Sequence, residues 1–82
     1  MDTDNLIHMA NRIGAFFVAM PDRTEAIEGV AQHIERYWEP RMRRDLLAHV
    51  DTHEGEGLDE IVLTAIRTHR AGLEPKAARA AA

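Results

Sequence analysis

The chain has 82 residues, of which 45% are hydrophobic and 29% charged, with a net charge of −4 and no cysteine. This composition is typical of one small globular domain, and it excludes disulfides, thiolate metal sites and cysteine-ligated iron–sulfur clusters. The acidic balance argues against general binding to nucleic acid or to anionic membranes. No apolar run approaches the ~20 residues of a membrane span, and the acidic start MDTDNLIH does not predict a signal peptide. We therefore expect a cytoplasmic protein.

The first predicted helix begins after Asp2 or Thr3, either of which can cap it, and is ended by Pro21, which cannot donate to the helical ladder. Phe16 and Phe17 point about 100° apart on this helix, so we expect one of them near the surface, where it extends a patch suited to a protein contact. The apolar residues recur at spacings of three and four, which predicts one buried face: Leu6, Met9, Ala10, Ile13, Phe16, Phe17 and Met20.

Gly14 stands inside this first helix, where glycine costs ~1 kcal/mol relative to alanine. With Ala10 one turn before it, Gly14 forms a low strip that another helix can approach closely. The approaching helix belongs either to this domain or to a partner, and the sequence leaves both open.

Two further helices are predicted to meet at Pro40, which suits a first helical position and breaks a continuous helix. Asp22, followed three residues later by Glu25, predicts the capped start of the second helix, which stops near Trp38. The third helix then runs from Pro40 to about Thr52. The apolar face of the second helix consists of Ile27, Val30, Ala31, Ile34, Tyr37 and Trp38.

A fourth helix is predicted after the loop HEGEG, whose glycines favour a turn. It runs from Leu58 to about Arg70 and ends at Gly72. The sequence thus predicts an all-α fold, a small bundle of three to four short helices, with one domain over residues 1–72 and a flexible tail over residues 73–82. A core this small stabilises a fold weakly, so we expect help from a metal or a partner.

The candidate chemical groups do not predict a catalytic, cofactor-binding or metal site. His49 and His53 have the i, i+4 spacing of two metal ligands on a helix, but the sequence HVDTH lacks the glutamate of a zinc-hydrolase motif. Histidines at a solvated helix end are the alternative interpretation. The chain has neither Cys nor Ser, and none of its Thr residues stands in a nucleophile motif.

The segment RYWEPRMRR, residues 36–44, carries four Arg and one Glu, a local charge of +3, whereas residues 45–60 carry three Asp and three Glu and no Lys or Arg. Trp and Arg are enriched in interface hot spots, and cations in the first turn of a helix are disfavoured unless a partner supplies a negative group. A docking surface is therefore one interpretation. In the other, Trp38 completes the domain core and the arginines bond their acidic neighbours Glu35, Glu39 and Asp45.

Four segments in order, NLIHMANRIGAFF, PD, VAQHIERYWEPRMRRDLLAHV and GEGLDEIV, resemble the small delta subunit of cytoplasmic, NAD-dependent, molybdenum-containing formate dehydrogenases. The resemblance covers about residues 5–66. Its most specific parts are MAN in the first helix and the corner W-x-PRMR, followed by LLAH. The family more often has a basic residue in place of His8, Phe in place of Tyr37 and Asp in place of Glu39.

The resemblance implies a non-catalytic accessory subunit of a complex that oxidises formate and reduces NAD. Such a subunit supports assembly, cofactor insertion or stability of the catalytic subunit. The expected partners are the catalytic (alpha) subunit and the beta and gamma subunits. Molybdenum (or tungsten) bis-pterin cofactor, iron–sulfur clusters and FMN would belong to those other subunits, with no cofactor in this chain.

The predicted docking surface combines the corner of the second and third helices with one side of the first helix. The resemblance contributes the shared motif positions, and the residue chemistry adds Phe16 and Arg44. The predicted partner-binding residues are Met9, Asn11, Phe16, Trp38, Pro40, Arg41, Met42, Arg43 and Arg44.

Two alternatives stay open. A small helix-turn-helix regulator of nucleic acid would place the arginines on phosphates, although the tight turn at Pro40 and the acidic strip disfavour it. The isolated chain can also form a homodimer through an exposed docking surface.

Overall fold

The computed structural model describes residues 2–75, which form five helices and no strand. The helices are α1 (Thr3–Phe17), α2 (Arg23–Tyr37), α3 (Pro40–His53), α4 (Glu60–Thr68) and α5 (Arg70–Leu73). The all-α prediction is therefore confirmed. None of these helices combines the length and the apolar character needed to cross a bilayer.

Local sequence signals set the helix starts. The Asp2 carboxylate accepts a hydrogen bond from the Asn5 backbone N–H at 2.8 Å, and the Asp22 carboxylate accepts one from the Glu25 N–H at 3.0 Å. Each bond satisfies a donor that the first turn leaves without an intrahelical partner. Pro40 is the first residue of α3, as predicted.

The turn between α3 and α4 uses the left-handed backbone region three times. Glu54, Gly55 and Gly57 have φ angles of 57°, 74° and 91°. Glycine adopts this region without the steric cost that a β-carbon adds, so the two glycines allow the chain to reverse within a few residues.

The predicted fourth helix is interrupted at His69, where φ and ψ are −112° and 27°, and the single turn α5 follows. This break turns Leu73 into the core, where it is 1% exposed, and Pro75 is also buried. Residues 73–75, which the sequence analysis assigned to the tail, thus pack with the domain. The remainder of the predicted tail, residues 76–82, lies outside the described residues.

One core joins all five helices, with α2 lying against α1, α4 and α5 and with α1 also contacting α3 and α4. Gly14 marks the α1–α4 crossing, because a β-carbon at Gly14 would lie 2.6 Å from Cγ2 of Val62. The close approach predicted at this glycine is therefore made within the domain. The largest fully buried side chains are Leu6, Val30, Ile34, Leu46, Val62, Ile66 and Leu73.

Candidate functional site

The indole of Trp38, at the corner between α2 and α3, points into the core. Trp38 ends α2 in an extended conformation, with φ −90° and ψ 135°, and its side chain is only 6% exposed. Met42, in the first turn of α3, is partly buried and packs against the same core. The structure therefore agrees with the interpretation in which Trp38 completes the domain core.

The three arginines that follow Pro40 have different environments. Arg41 and Arg44 are exposed, whereas Arg43 is partly buried and its Nη1 donates to the Leu73 carbonyl at 3.4 Å. The Nε of Arg43 is buried without a hydrogen-bond partner among residues 2–75. Arg43 thus holds α5 against α3, and Arg41 and Arg44 are the cations that the corner presents to solvent.

Within residues 2–75 the ion pairs are Arg23–Glu60 and Arg70–Asp51. The side chains of the corner arginines therefore form no ion pair with Glu35, Glu39 or Asp45, although one interpretation of the sequence required such pairs.

Asn11 and Met9, predicted as partner contacts, make contacts within the domain. The Asn11 Nδ2 donates to the Gly57 carbonyl at 2.9 Å, and its Oδ1 accepts from the Asp59 backbone N–H at 2.8 Å. Because Asp59 is the residue that precedes α4, the amide of Asn11 fixes where that helix begins. Met9 is partly buried and packs against the core.

Four rings form a continuous row on the surface, which we call the aromatic row: Phe16, Phe17, His33 and Tyr37. The Phe16 and Phe17 rings meet edge to face with centroids 5.0 Å apart, His33 lies 6.4 Å from Phe17, and Tyr37 lies 4.8 Å from His33. Phe16 is 74% exposed and Tyr37 71% exposed. The expectation that one of the two phenylalanines lies at the surface is confirmed.

Sequence analysis missed two members of this row. Tyr37 was assigned to the buried face of α2, which is wrong, because α2 ends at Tyr37 and the next residue supplies the core contact instead. The sequence signal that could have predicted these two members is the i, i+4 spacing of His33 and Tyr37, with Gly29 one turn earlier. A β-carbon at Gly29 would lie 2.5 Å from the Phe17 ring, so glycine is what allows that ring to lie against α2.

A groove of about 340 Å³ opens beside the aromatic row and is lined by Arg12, Ile13, Phe16, Phe17 and His33. Its floor and walls are mostly carbon, and its two polar side chains carry or can carry positive charge. No carboxylate is among these lining residues.

His49 and His53 do come together, with ring centroids 5.5 Å apart. His49 is buried, however, and its Nε2–H donates to the Glu56 carbonyl at 2.7 Å. Across residues 2–75 no group of three or more His, Asp or Glu side chains is arranged to hold a metal ion. The imidazole of His49 thus anchors the turn between α3 and α4.

An ion pair with two hydrogen bonds joins α3 to α5. Both terminal nitrogens of Arg70 donate to the Asp51 carboxylate, each at 2.7 Å. This two-bond pairing lowers the pKa of the Asp51 carboxyl and raises the pKa of the Arg70 guanidinium. A surface groove lies beside this ion pair, and its lining also includes Arg44, Glu74 and Pro75.

Comparison with known proteins identifies one relationship. Residues 5–66 match the model of the FdsD family, the NADH-dependent formate dehydrogenase delta subunit. Neither curated proteins nor solved structures give a match. The matched residues span α1 to α3 and nearly all of α4, including the aromatic row and the Pro40 corner. Because this is well over half of the chain, the protein belongs to the family of formate dehydrogenase delta subunits.

Proposed function

We propose that this chain is a non-catalytic accessory subunit of an NAD-dependent formate dehydrogenase complex in the cytoplasm. It supports assembly, cofactor insertion or stability of the catalytic subunit. Formate oxidation and NAD reduction take place on the other subunits, which carry the molybdenum bis-pterin cofactor, the iron–sulfur clusters and FMN. The chemistry of these 82 residues supports that division, since they include no cysteine to hold a cluster and no serine or cysteine nucleophile.

The aromatic row is the observation that carries this proposal. Phe16 and Tyr37 expose most of their rings at the two ends of the row. Contiguous exposed apolar surface on a small domain marks an interaction site, and aromatic side chains are enriched among the residues that dominate binding energy. A domain of this size gains stability when a larger partner covers such a surface.

The corner contributes charge to the same interaction. Arg41 and Arg44 are exposed near the start of α3, where the helix dipole disfavours cations, so a carboxylate of the partner would relieve that repulsion. We therefore propose that Phe16, Pro40, Arg41 and Arg44 touch the partner. The other predicted contact residues support this surface from inside the domain: Met9, Asn11, Trp38, Met42 and Arg43.

The experiment is to produce the formate dehydrogenase complex with and without this chain and to measure three properties of the purified catalytic subunit. A loss of subunits from the complex indicates assembly, a loss of molybdenum indicates cofactor insertion, and a lower melting temperature indicates stabilisation. We expect at least one of these losses. An enzyme that is unchanged in subunit ratio, molybdenum content and melting temperature contradicts the proposal.

The charged contacts are tested by replacing Arg41 and Arg44 with Glu. The matched control is Arg67→Glu, an exposed arginine of α4. We expect the double variant to co-purify less with the catalytic subunit and the control to co-purify normally. Equal recovery of both variants contradicts a role of the two arginines in binding.

A further inference from the structure

We propose that the groove beside the aromatic row binds an acidic, apolar segment of the partner chain, in which an aliphatic or aromatic side chain is flanked by carboxylates. The inference rests on the proposed function, since the partner to be tested is the catalytic subunit of the complex. It goes further by naming the site and the chemistry of the segment that fills it.

The apolar part of the groove is already formed in the isolated domain. Phe17 forms its floor and is held there, since Gly29 lets the ring lie against α2 and the Phe16 ring meets it edge to face at 5.0 Å. Ile13 packs against the core on the same side. A preformed floor lowers the ordering cost of binding, and the exposed face of Phe16 remains for an apolar side chain to cover.

The charge of the groove selects the segment that binds. Arg12 and His33 line it without a carboxylate, although the whole chain carries fourteen acidic against ten basic residues. His8, one turn before Arg12 on α1, and Arg36, next to Tyr37 on α2, are also exposed. Arg12 and His33 thus lie beside the apolar floor with no carboxylate among the lining residues, which suits a segment that carries carboxylates next to an apolar anchor.

The four other grooves described on residues 2–75 differ from this one in that they contain carboxylates. Each of the four others described on residues 2–75 is lined by at least two carboxylates. The groove between α1 and α3, for example, contains Asp4, Asp45 and Glu56. Among these five grooves, the groove beside the aromatic row is the one lined without a carboxylate, so charge as well as shape favours it for an acidic segment.

The size of the groove fits side chains better than a folded surface or a nucleic acid. About 340 Å³ is at the lower end of the range of ~300–1,000 Å³ typical of ligand pockets. Nucleic-acid sites need a continuous positive track, whereas this groove offers Arg12 as its one permanent cation in a molecule of net charge −4. A second copy of the chain would present the acidic strip of residues 45–60, and the crosslinking experiment below distinguishes this occupant from the catalytic subunit.

The first experiment identifies what lies in the groove. The photo-reactive residue p-benzoylphenylalanine replaces Phe16 in the full chain, which is produced together with the formate dehydrogenase complex, illuminated and analysed by mass spectrometry. We expect a crosslink to one segment of the catalytic subunit that contains carboxylates beside an apolar residue. A crosslink to a basic segment, to RNA or to a second copy of this chain overturns the inference.

The second experiment measures affinity for the purified catalytic subunit. Arg12→Glu and Phe16→Ala change the groove, and Arg67→Glu and Val18→Ala are the matched controls, because Arg67 lies on α4 and Val18 lines a different groove with Gly14 and Ala15. We expect the groove variants to bind about tenfold more weakly or worse, as hot-spot truncations do, and the controls to bind like the original chain. Circular dichroism checks that each variant is folded.

A charge swap completes the test. Replacing a carboxylate of the crosslinked segment by Lys is expected to weaken binding of the original chain and to restore binding of Arg12→Glu. If the original chain binds the catalytic subunit but the groove variants bind equally well, the inference fails and the proposed function stands. If the original chain does not bind the catalytic subunit, both proposals fail.

Discussion

At Gly14 a single missing β-carbon decides how closely two helices approach. A β-carbon there would lie 2.6 Å from Cγ2 of Val62 and 3.1 Å from Cγ2 of Ile61. Val62 is fully buried, and its branched side chain cannot withdraw without moving α4. The intrinsic helical cost of glycine is therefore offset by contacts that only glycine permits.

We predict that Gly14→Ala destabilises the domain by up to about 2 kcal/mol, because overpacking costs ~1–3 kcal/mol and the gain in helix propensity offsets ~1 kcal/mol of it. Urea unfolding followed by circular dichroism measures the change. Gly72→Ala is the control, since its β-carbon would be 3.5 Å from the nearest atom, an ordinary contact with Glu35. If Gly14→Ala is as stable as the control, the crossing is looser than the structure shows.

Asn11 shows how one amide can specify a turn. Its nitrogen and its oxygen are both used, one by the Gly57 carbonyl and the other by the Asp59 N–H. The residue was predicted to meet a partner because it belongs to the shared MAN motif. Its side chain instead joins α1 to a turn that is 46 residues away in sequence, a pairing that local sequence patterns do not reveal.

We predict that Asn11→Ala lowers the free energy of unfolding by ~1–3 kcal/mol, because it removes two hydrogen bonds that each contribute ~0.5–1.5 kcal/mol net. Asn11→Asp is the informative companion, because a carboxylate can still accept from the Asp59 N–H but cannot donate to the Gly57 carbonyl. We expect Asn11→Asp to lose stability as well, and hydrogen exchange to accelerate at residues 57–59 in both variants. Unchanged exchange there would contradict the role of the amide.

At the scale of elements, α5 is attached from two sides. Leu73 inserts into the core, and Arg70 binds the Asp51 carboxylate of α3 through two hydrogen bonds. The single turn of α5 is too short to be stable alone, so these contacts rather than helix propensity hold it. The break at His69 changes the chain direction, so that α5 packs against the domain.

The Asp51–Arg70 pair predicts a pH dependence. The pKa of Asp51 is lowered in the folded chain, so the pair stabilises the fold above the ordinary carboxyl range, near pH 4, and this contribution is lost as the pH falls through the lowered pKa. We expect the melting temperature of Asp51→Asn to fall less than that of the original chain as the pH is lowered from 5 to 2. Arg70→Gln should have the same effect, and the double variant no more than either single one.

If melting temperature falls equally steeply between pH 5 and pH 2 in the original chain and in Asp51→Asn, other carboxyls control the acid response. The raised pKa of Arg70 does not contribute to the change in stability between pH 5 and pH 2, because guanidinium groups stay charged up to strongly alkaline pH.

At the scale of the whole molecule, a small core is combined with exposed aromatic side chains at the surface. The domain buries a modest set of apolar side chains, yet it leaves Phe16 and Tyr37 largely exposed. Chains of this size are only marginally stable. A partner that covers the aromatic row would therefore contribute a substantial part of the stability of the bound chain.

We predict that excess catalytic subunit protects the folded chain, because a ligand that binds only the native state stabilises it by mass action. At a partner concentration of one hundred times Kd the gain is ~2.7 kcal/mol. Hydrogen exchange of the chain, measured alone and in the complex, reports this gain in the slowest core amides of α2 and α4. Identical exchange in both samples would contradict a stable association of the two proteins.

The sequence by itself determined the helical class, the capped start of the second helix at Asp22 and the corner at Pro40, and it narrowed the cap of the first helix to Asp2 or Thr3. These features depend on hydrogen bonds and steric limits between residues that are close along the chain, so local patterns contain them. The family resemblance over about residues 5–66 likewise needs only the order of the motifs, and the family match over the same residues confirms it.

Only the tertiary structure decided which side chains the surface offers. Trp38 lies inside and Tyr37 outside, although they are neighbours in sequence, because the helix ends between them and the chain changes direction. The aromatic row and the pairing of Arg70 with Asp51 form between helices whose relative positions are set by core packing. Helical periodicity predicts which face of a helix is apolar, but the extent to which that face is covered depends on how its neighbours cross it.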